Sequence, residues 1–232
     1  LRQRPYDIIA DPADTPRNIF VSTFDSAPLA PDLNYVVAGN EAAFQKGLDV
    51  LAKFAPVHLG LNAKSKEAPS HAFTQVESAS KHWFHGKHPA GNVGIQIHHT
   101  APITTSSKVW VAGVQDVITI GKLFTEGKFD ASRMVAVTGA EVEGPQYVKT
   151  YLGASIEGLV KDNLKSVAEG KSIRFVSGDV LSGKQTSTES YLGYYDDQIT
   201  VLEEGDEYEM FGWLLPIAPR PTISGTFPNA LY

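Results

Sequence analysis

Apolar residues along the first part of the chain follow spacings that alternate between strand and helix. The run at 18–24 (NIFVSTF) is apolar, β-branched and aromatic, which is typical of a buried strand. Residues 41–55 place phenylalanine and leucine at helical spacing, after a candidate N-cap asparagine and before a proline. Strands are predicted next at 57–61 and 71–77. This order predicts a βαβ unit and therefore a parallel sheet.

The alternation continues through the middle of the chain. Residues 88–100 (HPAGNVGIQIHHT) suit a loop that opens onto the first turn of a helix. A strand is predicted at 108–112, and the helix pattern at 113–127 ends on a glycine. A further strand follows at 133–138, and from about residue 140 the predicted elements become shorter and turns more frequent.

The last part of the chain has shorter and more scattered elements. Strands are predicted around 147–151, 174–176 and 198–202, with a helix at 155–169 between the first two. Few helices and many turns favour a compact mixed domain of the β-grasp kind.

The predicted fold class is therefore α/β, with a parallel-sheet domain followed by a small α+β domain. We place the first domain at residues 1–140 and the second at 141–214. Residues 215–232 are expected to be a linker. Because the chain starts on leucine and ends just after a proline-rich stretch, we expect it to be a fragment of a longer protein.

Composition narrows the function classes. The 232 residues are 42% hydrophobic, and 20 basic against 26 acidic residues give a net charge of −6, so no positive field favours nucleic acid as a partner. The absence of cysteine rules out disulfides and cysteine-bound zinc or iron–sulfur sites in this sequence. No apolar run approaches the ~20 residues that cross a bilayer, so no membrane span is predicted.

Five of the seven histidines are concentrated between residues 82 and 99. Converging imidazoles can bind zinc or iron, so one alternative is a stand-alone metal-dependent hydrolase. No HExxH signature accompanies them, and the nearby glycines and proline favour a loop over a rigid helix. We therefore predict no metal site and favour structural or polar contact roles for this cluster: His82, His85, His88, His98 and His99.

Glycine spacing gives a second candidate site. Gly91 and Gly94 precede a predicted helix, where free backbone N–H groups could face an anion or a carbonyl. The turn after the first strand (SAPLAPDLN) has no glycine, which disfavours flavin or nicotinamide nucleotide binding in the usual manner. No nucleophile motif appears, so no catalytic residue is predicted. An apolar ligand pocket could use the chain's aromatic residues Trp83, Phe84, Trp110, Tyr194, Tyr195, Phe211 and Trp213.

Taken together, seven stretches resemble the A subunit of the sodium-translocating NADH:quinone reductase. They keep the family's order and spacing over nearly the whole chain. The stretches are RQRPY (2–6), NIFVSTFDSAPLA (18–30), HPAGNVGIQIH (88–98), QDVITIGKLFTEG (115–127), YLGASI (151–156), SGDVLSG (177–183) and SYLGYYDDQITVL (190–202).

The resemblance implies a place in a bacterial respiratory complex. It implies a peripheral subunit on the cytoplasmic side of the inner membrane, docked on other subunits that oxidise NADH and move sodium. The protein would contact ubiquinone, bind neither flavin nor an iron–sulfur cluster, and carry out no catalysis alone. The resemblance also implies a Rossmann-like first domain, similar to the flavin-binding domain of complex I, and a β-grasp domain of the soluble-ligand-binding type.

Two groups of residues are the candidate ubiquinone contacts on this basis. Their glycine backbone or histidine rings could hydrogen-bond a quinone carbonyl, although a purely structural turn is the alternative for the second group. The family's N-terminal and C-terminal regions are missing here, and Gln96 occupies a position where we would align a histidine. A purely structural adaptor remains the third alternative for the chain. The candidate residues are Arg2, Arg4, Pro5 and Tyr6, and His88, Gly91, Gly94 and His98.

Overall fold

The chain folds around two β-sheets in the computed structural model, which describes residues 1–63, 68–105, 107–166, 171–205, 210–212 and 214. Strands and helices alternate through the first sheet, whereas the second sheet carries only one short helix among the described residues. The predicted α/β class with two sheet-containing units is confirmed. In the described part of the chain, no helix has the length and apolar character needed to cross a bilayer.

The first sheet has a parallel centre and an antiparallel edge. Its six strands lie in the order β2-β1-β6-β3-β4-β5. The last four are mutually parallel, whereas β1 runs antiparallel to β6 and β2 antiparallel to β1. The strands are β1 Arg2–Arg4, β2 Ile8–Ile9, β3 Asn18–Ser22, β4 Val57–Asn62, β5 Ser80–Phe84 and β6 Val109–Ala112.

Helices cover both faces of this sheet. Because strand side chains alternate, Ile19 and Val21 enter the main core beneath α2 and α5, whereas Phe20 faces α4 on the opposite side with Ile97 and Val109. The helices are α1 Leu33–Val37, α2 Glu41–Leu51, α3 His71–Thr74, α4 Val93–Thr100 and α5 Val114–Glu126.

Glycine allows α2 and α5 to pack closely. A Cβ on Gly121 would lie 1.8 Å from the carbonyl oxygen of Ala43, and one on Gly47 would lie 2.0 Å from that of Val117. Each glycine therefore admits the backbone of the other helix. This contact sets the position of α5, whose first turn is hydrogen-bonded to residue 134 of the second sheet through Gln115.

The second sheet has five strands in the order β10-β9-β11-β7-β8, with β11 parallel to β7 and the other pairs antiparallel. Helix α6 (Ile156–Val160) contributes Ile156, Leu159 and Val160 to the core of this sheet. The strands are β7 Ser132–Thr138, β8 Gln146–Tyr151, β9 Ile173–Ser177, β10 Lys184–Thr186 and β11 Gln198–Glu203.

The strand predicted at 71–77 is wrong. Residues 71–74 form α3, because the Ser70 side chain caps this short turn by accepting a hydrogen bond from the Ala72 N–H. The strand follows at β5 instead, where the sequence SKHWF has an exposed edge.

The helix predicted at 155–169 is too long. Helix α6 ends at Val160, and Leu164 forms a β-bridge with Val142. Residues 167–169 of the predicted helix lie outside the described residues, as do Trp213 and the predicted linker at 215–232. Strand β7 pairs only within the second sheet among the described strands, whereas the domain boundary predicted at residue 140 places it with the first.

Replacing Gly121 with alanine tests the helix contact. The new methyl group would collide with backbone rather than with a flexible side chain, so we expect a loss of about 2 kcal/mol in the free energy of unfolding despite alanine's better helix propensity. Urea denaturation measures this. The control is Gly158→Ala in α6, where the nearest atom is 3.8 Å away. Equal effects of both changes would contradict the close-packing argument.

Candidate functional site

Two cavities share Arg4. The larger, which we call the hairpin cavity, has a volume of about 800 Å³. It is lined by Gln3, Arg4, Pro5, Tyr6, Ile8, Ile103, Thr104, Thr105, Ser107 and Lys108. The smaller, the junction cavity, has a volume of about 190 Å³ and is lined from both sheets. Its lining residues are Arg2, Arg4, Asp7, Val93, Val111, Gly113, Gln115, Asp116, Arg133, Tyr195 and Asp197.

Strand β1 has residues on both of its faces, and all three of them line a cavity. Gln3 is buried and accepts a hydrogen bond of 3.0 Å from Trp110 Nε1. Because neighbouring residues of a strand point to opposite faces, Arg2 and Arg4 emerge on the other side. The sequence Arg-Gln-Arg thus places two guanidinium groups beside the cavities.

The turn after β1 holds these arginines. Asp7 has a left-handed backbone (φ 56°) and forms ion pairs with both Arg2 and Arg4, the latter at 3.3 Å between Nε and Oδ1. Tyr6 is 83% exposed at the tip of this turn, and Ile8 is also exposed. The rim of the hairpin cavity is therefore aromatic and aliphatic, with Arg4 as a fixed polar group.

The junction cavity depends on the first turn of α5. The Gln115 side chain accepts from the Met134 N–H at 2.8 Å and donates to the Met134 carbonyl at 2.9 Å. Next to it, Asp116 pairs with Arg133 at 2.9 Å between Oδ1 and Nη1. Both contacts join the helix to β7, so they fix the second sheet against the first.

Asp197 is the most perturbed acid of the junction cavity. Burial raises the pKa of this carboxyl from 3.8 to about 6, and the neighbouring charges of Asp25 and Asp116 act in the same direction. The guanidinium of Arg133 opposes the shift. Burial also raises the pKa of the Tyr195 hydroxyl, while the Arg2 guanidinium lies 5.1 Å from the centroid of that ring.

The predicted residues of the RQRPY stretch come together with one member of the glycine loop. Arg4, Pro5 and Tyr6 line the hairpin cavity, while Arg2 and Arg4 line the junction cavity. A Cβ on Gly94 would lie 3.7 Å from Arg4 Nη1, so the start of α4 approaches this arginine. The structure thus brings Arg2, Arg4 and Gly94 into one neighbourhood.

The rest of the glycine loop lies elsewhere. His88 Nδ1 is 3.1 Å from Ser26 Oγ, and a Cβ on Gly91 would lie 2.4 Å from the backbone nitrogen of Ser26. His98 is exposed and its ring meets that of His99 edge-on. None of these three predicted residues lines either cavity, so their contact with a ligand stays a prediction.

Gln96 has a packing role on the other side of α4. The residue is buried, lies over Gly60, and donates a hydrogen bond of 2.8 Å to Ser22 Oγ. A Cβ on Gly60 would lie 2.1 Å from Gln96 Oε1, so this amide needs the glycine beneath it. The side chain therefore seats α4 on the sheet.

The histidine cluster is divided among separate places. His58 Nδ1 and His82 Nε2 are 2.9 Å apart, and burial lowers the pKa of both rings. Within the described ranges, no three histidine, aspartate or glutamate side chains are grouped so that they could hold a metal ion. The described residues therefore offer no set of metal ligands that would support the hydrolase alternative.

The sequence analysis did not identify five of the charged and amide residues that line the junction cavity. The Gln-Asp pair at 115–116, in the first turn after the N-cap Gly113 of α5, was a signal for contacts at a helix start, and an arginine inside a buried strand pattern was a signal for an ion pair. Asp197 gave no local signal. The missed residues are Asp7, Gln115, Asp116, Arg133 and Asp197.

Comparisons with known proteins cover both parts of the chain. Residues 1–129 match the family model described as NqrA second alpha/beta domain, and residues 134–188 match that described as NQRA C-terminal domain. Three similar curated proteins are each named as the A subunit of the Na(+)-translocating NADH-quinone reductase.

The similarity extends over nearly the whole chain. The protein from Yersinia pseudotuberculosis is 42% identical over 97% of this chain and 49% of its own length. Those from Alcanivorax borkumensis and Shewanella frigidimarina are each 40% identical, over 100% and 98% of this chain and 50% and 49% of their own lengths. The chain spans about half the length of the curated relatives it matches.

Replacing Asp197 with asparagine tests the raised pKa of this half-buried acid. Because its folded-state pKa lies above the unfolded value, ionisation costs stability as the pH rises from about 4 to about 6, and the cost persists above that range. We expect Asp197→Asn to raise the free energy of unfolding by about 2 kcal/mol near pH 7.5, with little change near pH 4.

Urea denaturation at the two pH values measures the effect. The control is Asp162→Asn, at an exposed turn, which should leave stability within about 0.5 kcal/mol at both values. A variant of Asp197 that is less stable than the parent near pH 7.5 would mean that the ionised carboxylate stabilises the fold.

Proposed function

The chain belongs to the family of the A subunit of the Na(+)-translocating NADH-quinone reductase, and from this premise we propose that it is a ubiquinone-binding, peripheral part of such a complex. The proposed complex oxidises NADH, reduces ubiquinone and translocates sodium. In it this chain supplies ubiquinone contacts and docking surfaces on the cytoplasmic side of the bacterial inner membrane. Hydride transfer, flavin and iron–sulfur chemistry and the sodium path belong to its partner subunits.

A Rossmann-like first domain is part of this proposal. The four parallel strands lie in the order β5-β4-β3-β6, which is the 3-2-1-4 order of the first half of a Rossmann sheet. The turn after β3 has no glycine fingerprint, in keeping with a fold that does not bind a dinucleotide there.

A β-grasp second domain is the other part. The hairpins β7–β8 and β9–β10 flank the central strand β11, which is parallel to β7, and α6 packs on the sheet between them in sequence. This connectivity is the one expected of a β-grasp domain. The proposal has two domains, and because β7 belongs to the second sheet, their boundary lies between Glu126 and Ser132 rather than at residue 140.

The hairpin cavity is the proposed ubiquinone contact. The observation that carries it is that the RQRPY stretch, singled out by sequence, lines a cavity of about 800 Å³ with Pro5, Tyr6, Ile8 and Ile103 as apolar walls. Quinone carbonyls accept hydrogen bonds and donate none, so Arg4, which has only donors, suits the headgroup. The apolar walls suit the ring and the start of the isoprenoid chain.

Tyr6→Ala and Arg4→Met test this proposal in the full-length protein. A soluble ubiquinone analogue is titrated while intrinsic tryptophan fluorescence is followed. Trp110 reports on the cavity because its indole N–H donates a hydrogen bond to Gln3, which lines the hairpin cavity. We expect each variant to raise the Kd about tenfold, which corresponds to about 1.4 kcal/mol. Tyr151→Ala is the control, since this tyrosine is also exposed but lies on β8.

Two other outcomes separate the alternatives. If quenching saturates but responds to His98→Ala rather than to Tyr6→Ala, the ligand lies at the glycine loop and not in the hairpin cavity. If no saturable quenching occurs while the protein still assembles with its partners, a structural adaptor replaces the quinone-binding role.

A further inference from the structure

The junction cavity lies where an open α/β sheet offers a binding crevice. From β3 the chain builds β4 and β5 on one side, then returns through α4 to place β6 on the other side of β3. Connections therefore diverge at the carboxyl ends of β3 and β6, and ligands of such sheets bind at this switch point. Gly113, the first residue after β6, and Val93, the first residue of α4, both line the cavity.

Charged side chains from both sheets meet there. Arg2 and Arg4 pair with Asp7, and Arg133 pairs with Asp116. Arg133 is only 5% exposed, and within the described part of the chain its Nε has no hydrogen-bond partner. A buried guanidinium with an unused donor is costly unless another acceptor is supplied.

Asp197 is the sixth charged residue of the cavity lining. Asp197 is faced by Arg133 from β7, by Asp116 from α5 and by Asp25 from the loop after β3, while Tyr195 and the Arg2–Asp7 pair lie around the same cavity. Burial holds the pKa of Asp197 near 6. With this carboxyl protonated, the three arginines of the cavity lining face the carboxylates of Asp7 and Asp116, and that of Asp25 lies nearby.

We propose that the junction cavity binds a small carboxylic acid as its monoanion, with the carboxylate on the guanidinium groups of Arg133 and Arg4 and an apolar body against Val93 and Val111. Guanidinium groups recognise carboxylates through paired, charge-assisted hydrogen bonds. The carboxylate of the ligand supplies the acceptor that Arg133 Nε lacks among the described residues, and protonated Asp197 adds a donor. This ligand is additional to the ubiquinone proposed for the hairpin cavity.

The size of the cavity limits the ligand. Its volume of about 190 Å³ exceeds the ~150 Å³ of an engineered cavity that accepts benzene. The lining combines two valines and the Tyr195 ring with the charged groups, so an acid with a body of one ring or a short branched chain fits best.

Benzoate is the probe for the test, with the 232-residue chain as the protein. Binding is measured by calorimetry and by the shift of the Gly113 amide resonance. Benzamide has the same body without the charge, and sulfate has the charge without the body. We expect saturable binding of benzoate and at least tenfold weaker binding of the other two, about 1.4 kcal/mol. Equal affinity for benzamide, or no saturable binding of benzoate, overturns the proposal.

Protonation gives a second readout. If the anion binds only when Asp197 is protonated, its affinity falls about tenfold for each pH unit above 6. Asp197→Asn keeps the group neutral, so benzoate affinity near pH 7.5 should rise to the value that the parent has near pH 5.5. If the variant keeps the parent's pH dependence, Asp197 is not the coupled group and the proposed site is wrong.

Arg133→Met removes the central guanidinium, and we expect it to abolish benzoate binding. The matched control is Arg174→Met on β9, which breaks a surface ion pair with Glu204 and should leave binding unchanged. Where Arg133→Met fails to fold, the Asp197→Asn titration decides the proposal by itself. If ubiquinone fails to quench the fluorescence while benzoate still binds, the ubiquinone proposal for the hairpin cavity is wrong and the proposal for the junction cavity stands.

Discussion

The placement of the second sheet depends on contacts at the first turn of α5, where the side-chain amide of Gln115 and the Asp116–Arg133 ion pair both reach β7. Strand β11 pairs with β7 only from Ala136 onward, so the N–H and C=O of Met134 lie before that pairing begins. Gln115 supplies an acceptor to one and a donor to the other, as a neighbouring strand would. Because buried backbone groups must be paired, this side chain fixes the second sheet to a helix of the first. Gln115 also lines the junction cavity, so the cavity lies beside that attachment.

Much of the first sheet could be predicted from the sequence because its strands are buried on both faces. Ile19, Phe20 and Val21 form a continuous apolar run, and Val57, Leu59 and Leu61 supply the buried side chains of the next strand. The edge strand β5 could not be identified in this way, since SKHWF is mostly polar and is held by its ladder to β4. The short helix α3 was missed because a single serine cap, rather than periodicity, determines it.

The candidate site was predictable only where it is local in sequence. One short stretch of sequence, RQRPY, contains four of the candidate residues, so a single motif identifies them together: Arg2, Arg4, Pro5 and Tyr6. Arg133 and Asp197 reach the same cavity from positions that are far apart in sequence, and no spacing rule joins them. The histidines show the converse case, because closeness in sequence did not bring His88 and His98 to the cavities.

Strand β1 also has a protective effect on the sheet. It pairs antiparallel with β6 through three residues and carries β2, which is only two residues long, as the outermost strand. If β1 were displaced, the main chain of β6 would become an open edge beside the exposed side chains of the turn. An unpaired edge of this kind recruits strands from other molecules, so the segment that contacts the proposed ligand also protects the protein against aggregation.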